Sequence, residues 1–151
     1  MLRHTVATLA YRAAKVLRGT PAGFSTFAGA APQTPGRILA HLCDLFDWAL
    51  HLADGSHKWN DTAPGAWEDD CARFFAALEA FDRRLAAGAP ACDAGRLFQG
   101  PIADALTHVG QLAMLRRLAG IPMKGENYFR AEIVTGRCGA DQPAPRAEFA
   151  G

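Results

Sequence analysis

Asp104 and His108 stand one helical turn apart in a long, largely apolar stretch that runs from Gly100 to Gly120. A helix presents positions i and i+4 on one face, with Cβ atoms roughly 5–6 Å apart. A carboxylate and an imidazole at this spacing can grip one divalent cation. His41, the lone imidazole among Ile38, Leu42 and Leu45, can supply a third ligand. Two histidines and one carboxylate, with coordination positions left open, form a known metal-binding pattern. Gln111 shares the stripe of Asp104 and His108 and is the candidate catalytic residue, placed to orient a ligand or a substrate. Asp44, one turn after His41, is placed to accept from its second ring nitrogen. His4, His51 and His57 are weaker candidates: the first lies in an acid-free helix, the second near a helix end, the third in a polar loop. The plainer reading of the same residues is a hydrogen-bonded Asp/His pair and a satisfied core histidine.

These residues need helices to position them, and the apolar spacing of three and four along the chain supplies them. The first helix is expected over Leu2–Leu17, stopped by the breaker cluster Arg18 to Gly23. A loop continues through Gly36, with Thr34 as N-cap and Pro35 as the first helical residue of a second helix to Leu52. Its apolar residues cover most of its circumference, as for a helix inside a bundle. A polar loop around Ser56 to Ala63 precedes a third helix over Pro64–Ala87, whose Glu68, Asp69, Asp70, Arg73, Glu79, Asp82, Arg83 and Arg84 read as a solvated face. Gly88 to Gly95 reads as a turn-rich connection. The fourth helix is expected from Pro101 to the Gly120–Pro122 stop. Its polar stripe is predicted to point into the bundle, where an ionised Asp without a partner would cost several kcal/mol, and Gly110 is predicted to mark the close approach of another backbone. A short fifth helix over Glu126–Val134 and an irregular tail over 136–151, free or packed on a neighbouring subunit, complete the chain. The expected fold is therefore an all-α four-helix bundle over residues 1–135.

Composition excludes more than it identifies. The 151 residues suffice for one domain with a real core, and sixteen basic residues nearly balance fifteen acidic ones. That balance argues against a nucleic-acid or membrane partner. No Asp or Glu precedes Asp44. Such a start can belong to a transit peptide, but its apolar positions already make a packing stripe, so the basic residues are read as a solvated face. No apolar run has the length of a membrane span, and a cytoplasmic protein is expected. Cys43, Cys71, Cys92 and Cys138 never form a Cys-x-x-Cys pair, which removes a local zinc knuckle. Cys43 and Cys71 are read as small buried apolar residues.

Two stretches, Ile38 to Trp48 (ILAHLCDLFDW) and His108 to Gly120 (HVGQLAMLRRLAG), resemble the DinB/YfiT-like superfamily of small bacterial four-helix proteins. The specific part is His-x-Gly-Gln followed by Leu-Arg and a closing Gly, and helix order and length agree over about residues 1–135. The resemblance implies three histidines on a divalent metal, one from the second helix and two from a His-x-x-x-His on the fourth. His41 matches the first position and His108 the last. At the middle position Asp104 stands in place of histidine. Aspartate ligates zinc, nickel, manganese or iron, so the site either survives with an altered preference or has ceased to hold metal. The resemblance further implies a homodimer and a small-molecule substrate, with either a thiol-dependent S-transferase using a low-molecular-weight thiol such as bacillithiol or mycothiol, or a hydrolase. Asn127, Tyr128 and Arg130 are expected to line the mouth or to form a polar helix cap. The alternative is a non-enzymatic bundle with a degenerate metal site that binds a small molecule or mediates assembly.

Overall fold

The computed structural model describes residues 1–29 and 33–150; residues 30–32 of the expected first loop and residue 151 of the expected tail lie outside it. Four long helices carry the fold: α1 (Leu2–Leu17), α2 (Pro35–Ala53), α3 (Trp67–Ala87) and, after the single turn α4 (Ala94–Leu97), α5 (Ala103–Leu118). The described residues contain no strand, and no described helix is long and apolar enough to cross a membrane. α2 packs on α3 and α5, and α1 packs on the same two helices, so α1 and α2 occupy opposite corners of a four-helix bundle. Its core is aliphatic and aromatic, with Tyr11, Leu39, Leu42, Phe46, Phe74, Phe81 and Leu112 fully buried.

Each helix boundary has a local cause. Thr34 Oγ1 accepts from Arg37 N at the start of α2, with Pro35 as the first helical residue. α3 begins three residues after the expected Pro64, because the Asp70 carboxylate captures Gly65 N–H at 2.8 Å and leaves Ala66 extended as the N-cap. The expected turn-rich connection before the fourth helix is partly helical. Asp93 caps Arg96 N at 3.0 Å, and the helix then runs through a wide π-type turn, Phe98–Ile102, into α5. Pro101 lies inside that turn; without an N–H, and with a ring that crowds the preceding turn, proline disturbs the regular i→i−4 ladder. Gly120, at φ 73°, closes α5, and Ile121 N reaches back to Arg116 O.

Several buried charged groups replace the simple picture of polar outside and apolar inside. Arg116 is buried without a carboxylate; its guanidinium instead donates to the carbonyls of Lys15, Val16 and Arg18 at the end of α1 and to Ile121 O. Those carbonyls have no partner within α1, and a cation there also complements the helix dipole. Burial lowers the Arg116 pKa from its usual value, yet a guanidinium remains charged at neutral pH. The face of α3 expected to be solvated is partly consumed as well. Asp82 is buried under Arg3 in a two-bonded pair at 2.9 and 2.8 Å, and Asp70 is buried against the loop it caps.

The C-terminal segment departs from expectation in form and in place. Only the single turn Tyr128–Arg130 is helical where a fifth helix was expected, since Asn127 caps that turn and Ala131 is already extended. The tail does not need a second subunit to pack: it lies against α1 of its own chain. Glu126 and Glu148 bridge to each other as two extended segments and both accept from Lys15 Nζ at 2.9 Å, while Tyr11 Oη donates to Glu126 at 2.7 Å. Burial works against the charge on Lys15, but its hydrogen bonds to Glu148 and Glu126 outweigh that and hold its pKa above the usual value.

Arg116→Ala strips hydrogen bonds from several buried carbonyls at once and is expected to cost about 2–4 kcal/mol in urea unfolding at constant m. Gly110 gives the opposite result. It is exposed, and a Cβ added there meets nothing within 4 Å, so the expected close helix approach is absent. Gly110→Ala is therefore expected to stabilise the protein by about 0.5–1 kcal/mol, as for an open helix interior.

Candidate metal centre

α5 buries Ala105, Val109, Leu112 and Leu115 against the other helices. Asp104 and His108 each precede a member of that stripe by one position, which turns them about a third of a revolution away from the core. They consequently lie at the seam with α2 rather than in the bundle interior, and the expected inward-pointing cluster becomes a partly open one. The side chains of His41, Asp104 and His108 are 33, 45 and 17% exposed. At that exposure water solvates Asp104, so burial alone does not compel a cation beside it. The case rests on geometry.

Asp104 sits between the two imidazoles. Its Oδ2 is 3.3 Å from His41 Nε2 and its Oδ1 is 3.5 Å from His108 Nε2, with the two rings edge to face at 4.8 Å between centroids. One ligand atom from each of the three residues lies within 4.8 Å of the others, and this is the one such group of three acidic, thiol or imidazole residues among the described residues. Bonds of about 2.0–2.1 Å around a tetrahedral zinc-type ion span roughly 3.3–3.4 Å between neighbouring ligand atoms. The two nitrogen–oxygen separations, each to a different oxygen of Asp104, are close to that edge, and the first is also a hydrogen-bond distance.

The tautomer of His108 supports the same arrangement. His108 Nδ1 lies 2.7 Å from Gln111 Oε1, one turn along α5. A carbonyl oxygen only accepts, so Nδ1 carries the proton and, in the neutral ring, Nε2 presents a lone pair toward Asp104. A lone pair facing a carboxylate oxygen has room for a cation between them, and the donor set of two imidazoles and one carboxylate suits a divalent transition ion. Gln111 thus touches the imidazole, as a carbonyl that fixes a ligand ring commonly does.

The loop between α2 and α3 forms the opposite wall. Asp44, expected to orient His41, does something else. It is buried and accepts from Thr62 N and Thr62 Oγ1 at 2.7 and 2.8 Å, and from Arg73 at 2.6 Å. One turn of α2 turns its carboxylate toward the loop and α3, and its acceptor sites are filled there. Arg73 also reaches Asp47 at 2.7 Å. Burial opposes its charge, but the hydrogen bonds to Asp47 and Asp44 raise its pKa above the usual value. Fastened in this way, the loop brings Trp59 edge-on to His41 at 5.6 Å and to Trp48 at 5.8 Å. A cavity of about 600 Å3 opens beside His41 and His108, walled by Arg37 on α2 and by Asp61 to Pro64 on the loop.

Asn127, Tyr128 and Arg130 do not border this cavity. Tyr128 instead packs edge-on against Tyr11, and its ring lies 4.1 Å below the Arg12 guanidinium. His4, His51 and His57 are also elsewhere, against Thr135, Ser56 and Trp48 respectively. The four cysteines are free, and burial raises the thiols of Cys43, Cys71 and Cys138 to about 12, which keeps these three protonated and unreactive at neutral pH. Arg37, which lines the cavity, and Trp59, which packs against the His41 ring, are the residues around the site that sequence reasoning missed. A large aromatic in an otherwise polar loop, and a basic residue one turn ahead of His41, were the available signals.

No protein-family model matches this chain, and neither the curated proteins nor the solved structures contain a match to it. What stands on geometry is a helical bundle with a candidate His/His/Asp metal triad.

Asp44→Ala is expected to release the loop while leaving the helices folded. Because Arg73 remains partly solvated, the expected cost is about 2–3 kcal/mol. The check is the near-ultraviolet circular dichroism of the tryptophans, which should lose intensity at Trp59 while the far-ultraviolet helix signal is retained. An unchanged aromatic spectrum would show that Asp44 does not hold the loop.

Proposed function

We propose that His41, Asp104 and His108 hold one divalent metal ion and that the protein is a metal-dependent enzyme of the DinB/YfiT-like type, acting as a thiol-dependent S-transferase or a hydrolase. The observation that carries this reading is the convergence of three ligand atoms from α2 and α5, with Nε2 of His108 turned toward Asp104 by Gln111. When bound, such an ion supplies Lewis acidity, which makes a thiol or a water molecule nucleophilic at neutral pH.

The chain's own residues do the rest. Three protein ligands leave coordination positions open, and the cavity between Arg37 and Pro64 gives a small reactant access to them. Gln111 holds the His108 ring in register, and the Trp59 edge confines the His41 ring from the loop side. The replacement of histidine by Asp104 relative to the family pattern lowers the charge of the site by one, and it favours ions that accept oxygen donors, with manganese, iron, nickel and zinc all compatible. Exposed Met114 and Leu118, one turn apart on α5, support pairing with a second copy.

Metal analysis of untagged protein tests the reading. The expected result is one divalent ion per chain, lost in His41→Ala and in His108→Ala while circular dichroism remains helical. Protein loaded with that ion is expected to transfer a low-molecular-weight thiol to an electrophile or to hydrolyse an ester or amide, at a rate that falls at least a hundredfold in His108→Ala. Protein that binds no ion under any loading condition, with His108 carrying its proton on Nε2 toward Asp104, would establish the metal-free bundle instead.

A further inference from the structure

Arg37 precedes His41 by one turn on α2, so both side chains leave the same face of the helix and border the same cavity. Among the described residues no carboxylate pairs with Arg37, whereas Arg73 on the next helix is consumed by Asp44 and Asp47. The charge balance around the cavity is therefore readable. Asp44 and Asp47 share the one guanidinium of Arg73, and Thr62 adds hydrogen bonds to Asp44 without adding charge. Arg37 is set against the exposed Asp61 across the mouth. A divalent ion held by the single carboxylate of Asp104 places one net positive charge at the three side chains, and the first turn of α2, which carries Arg37, adds the positive end of its helix dipole beside it.

Building on the metal reading above, we infer that this cavity selects small reactants that carry a carboxylate, held by Arg37 while the reacting atom lies over His41, Asp104 and His108. A guanidinium presents a planar fork that matches a carboxylate in two parallel hydrogen bonds, which fixes orientation as well as affinity. The reach of an arginine from one turn away sets the scale of the ligand: a chain of only a few atoms separates its carboxylate from its reacting atom. A cavity of about 600 Å3 has room for such a molecule.

Two isosteric thiols test this on cobalt-loaded protein, where thiolate binding appears as a charge-transfer absorption. The probes are 3-mercaptopropionate and its neutral amide, 3-mercaptopropionamide. The carboxylate is expected to bind about tenfold more tightly, as for one charge-assisted contact at a partly solvated site, and this preference is expected to shrink with added salt. Arg37→Met should abolish the preference while leaving the amide's affinity and the cobalt spectrum of the free site unchanged; Arg37 is exposed, so the substitution leaves the fold intact. Equal binding of the two thiols by the unaltered protein, or a preference that survives in Arg37→Met, overturns the inference while the metal reading stands. Failure of cobalt to bind at all overturns both, and the absence of any cobalt spectrum distinguishes that outcome.

Discussion

A carboxylate held within 3.3 and 3.5 Å of two imidazole nitrogens constrains everything around it. With Gln111 accepting at Nδ1, the neutral His108 ring turns the lone pair of Nε2 toward Asp104, an arrangement suited to a cation between them. Several elements fix its position. The buried stripe of α5 fixes which way Asp104 and His108 turn, and α2, packed against α5, delivers His41 to the same seam. The loop after α2, pinned by Asp44, closes the side facing away from the bundle.

The site is therefore built on rigid elements and walled by a tethered one. Its three candidate ligands come from long helices, His41 and His108 from within α2 and α5 and Asp104 from the first turn of α5, while Asp61 to Pro64 come from a loop with no regular structure. Such a division is common in proteins that bind small molecules, because the scaffold holds geometry and the loop sets access. Arg116 and the Lys15–Glu126–Glu148 cluster act at the other face of the molecule, where they join the ends of α1 and α5 and dock the tail. Neither touches His41, Asp104 or His108.

Much of this was legible from residue types and spacing. The first helix begins and ends where its apolar stripe and breaker cluster place it, and Thr34-Pro35 marks the start of α2. The gathering of His41, Asp104 and His108 follows from an i,i+4 pair and one histidine on an apolar helix, given a bundle to bring them together. What was not legible has physical reasons. Helical periodicity does not distinguish a residue that points into a core from one at the seam between two helices, so the exposure of Asp104 and the openness around Gly110 were misjudged. The donors to Asp44, Thr62 and Arg73, lie 18 and 29 residues away in sequence, out of reach of the local spacing that points it to His41. The C-terminal segment carries helix-compatible residues, but its packing comes from long-range pairs to α1 that local pattern does not encode.

The central claim is that one cation is shared by side chains from α2 and α5. Anomalous diffraction from crystals grown with one equivalent of zinc, recorded on both sides of the zinc edge, tests it most directly. The account predicts a single strong peak about 2.0–2.2 Å from His41 Nε2, His108 Nε2 and an oxygen of Asp104. A peak elsewhere on the surface, or no peak with the Asp104 carboxylate bonded directly to both imidazoles, would contradict it.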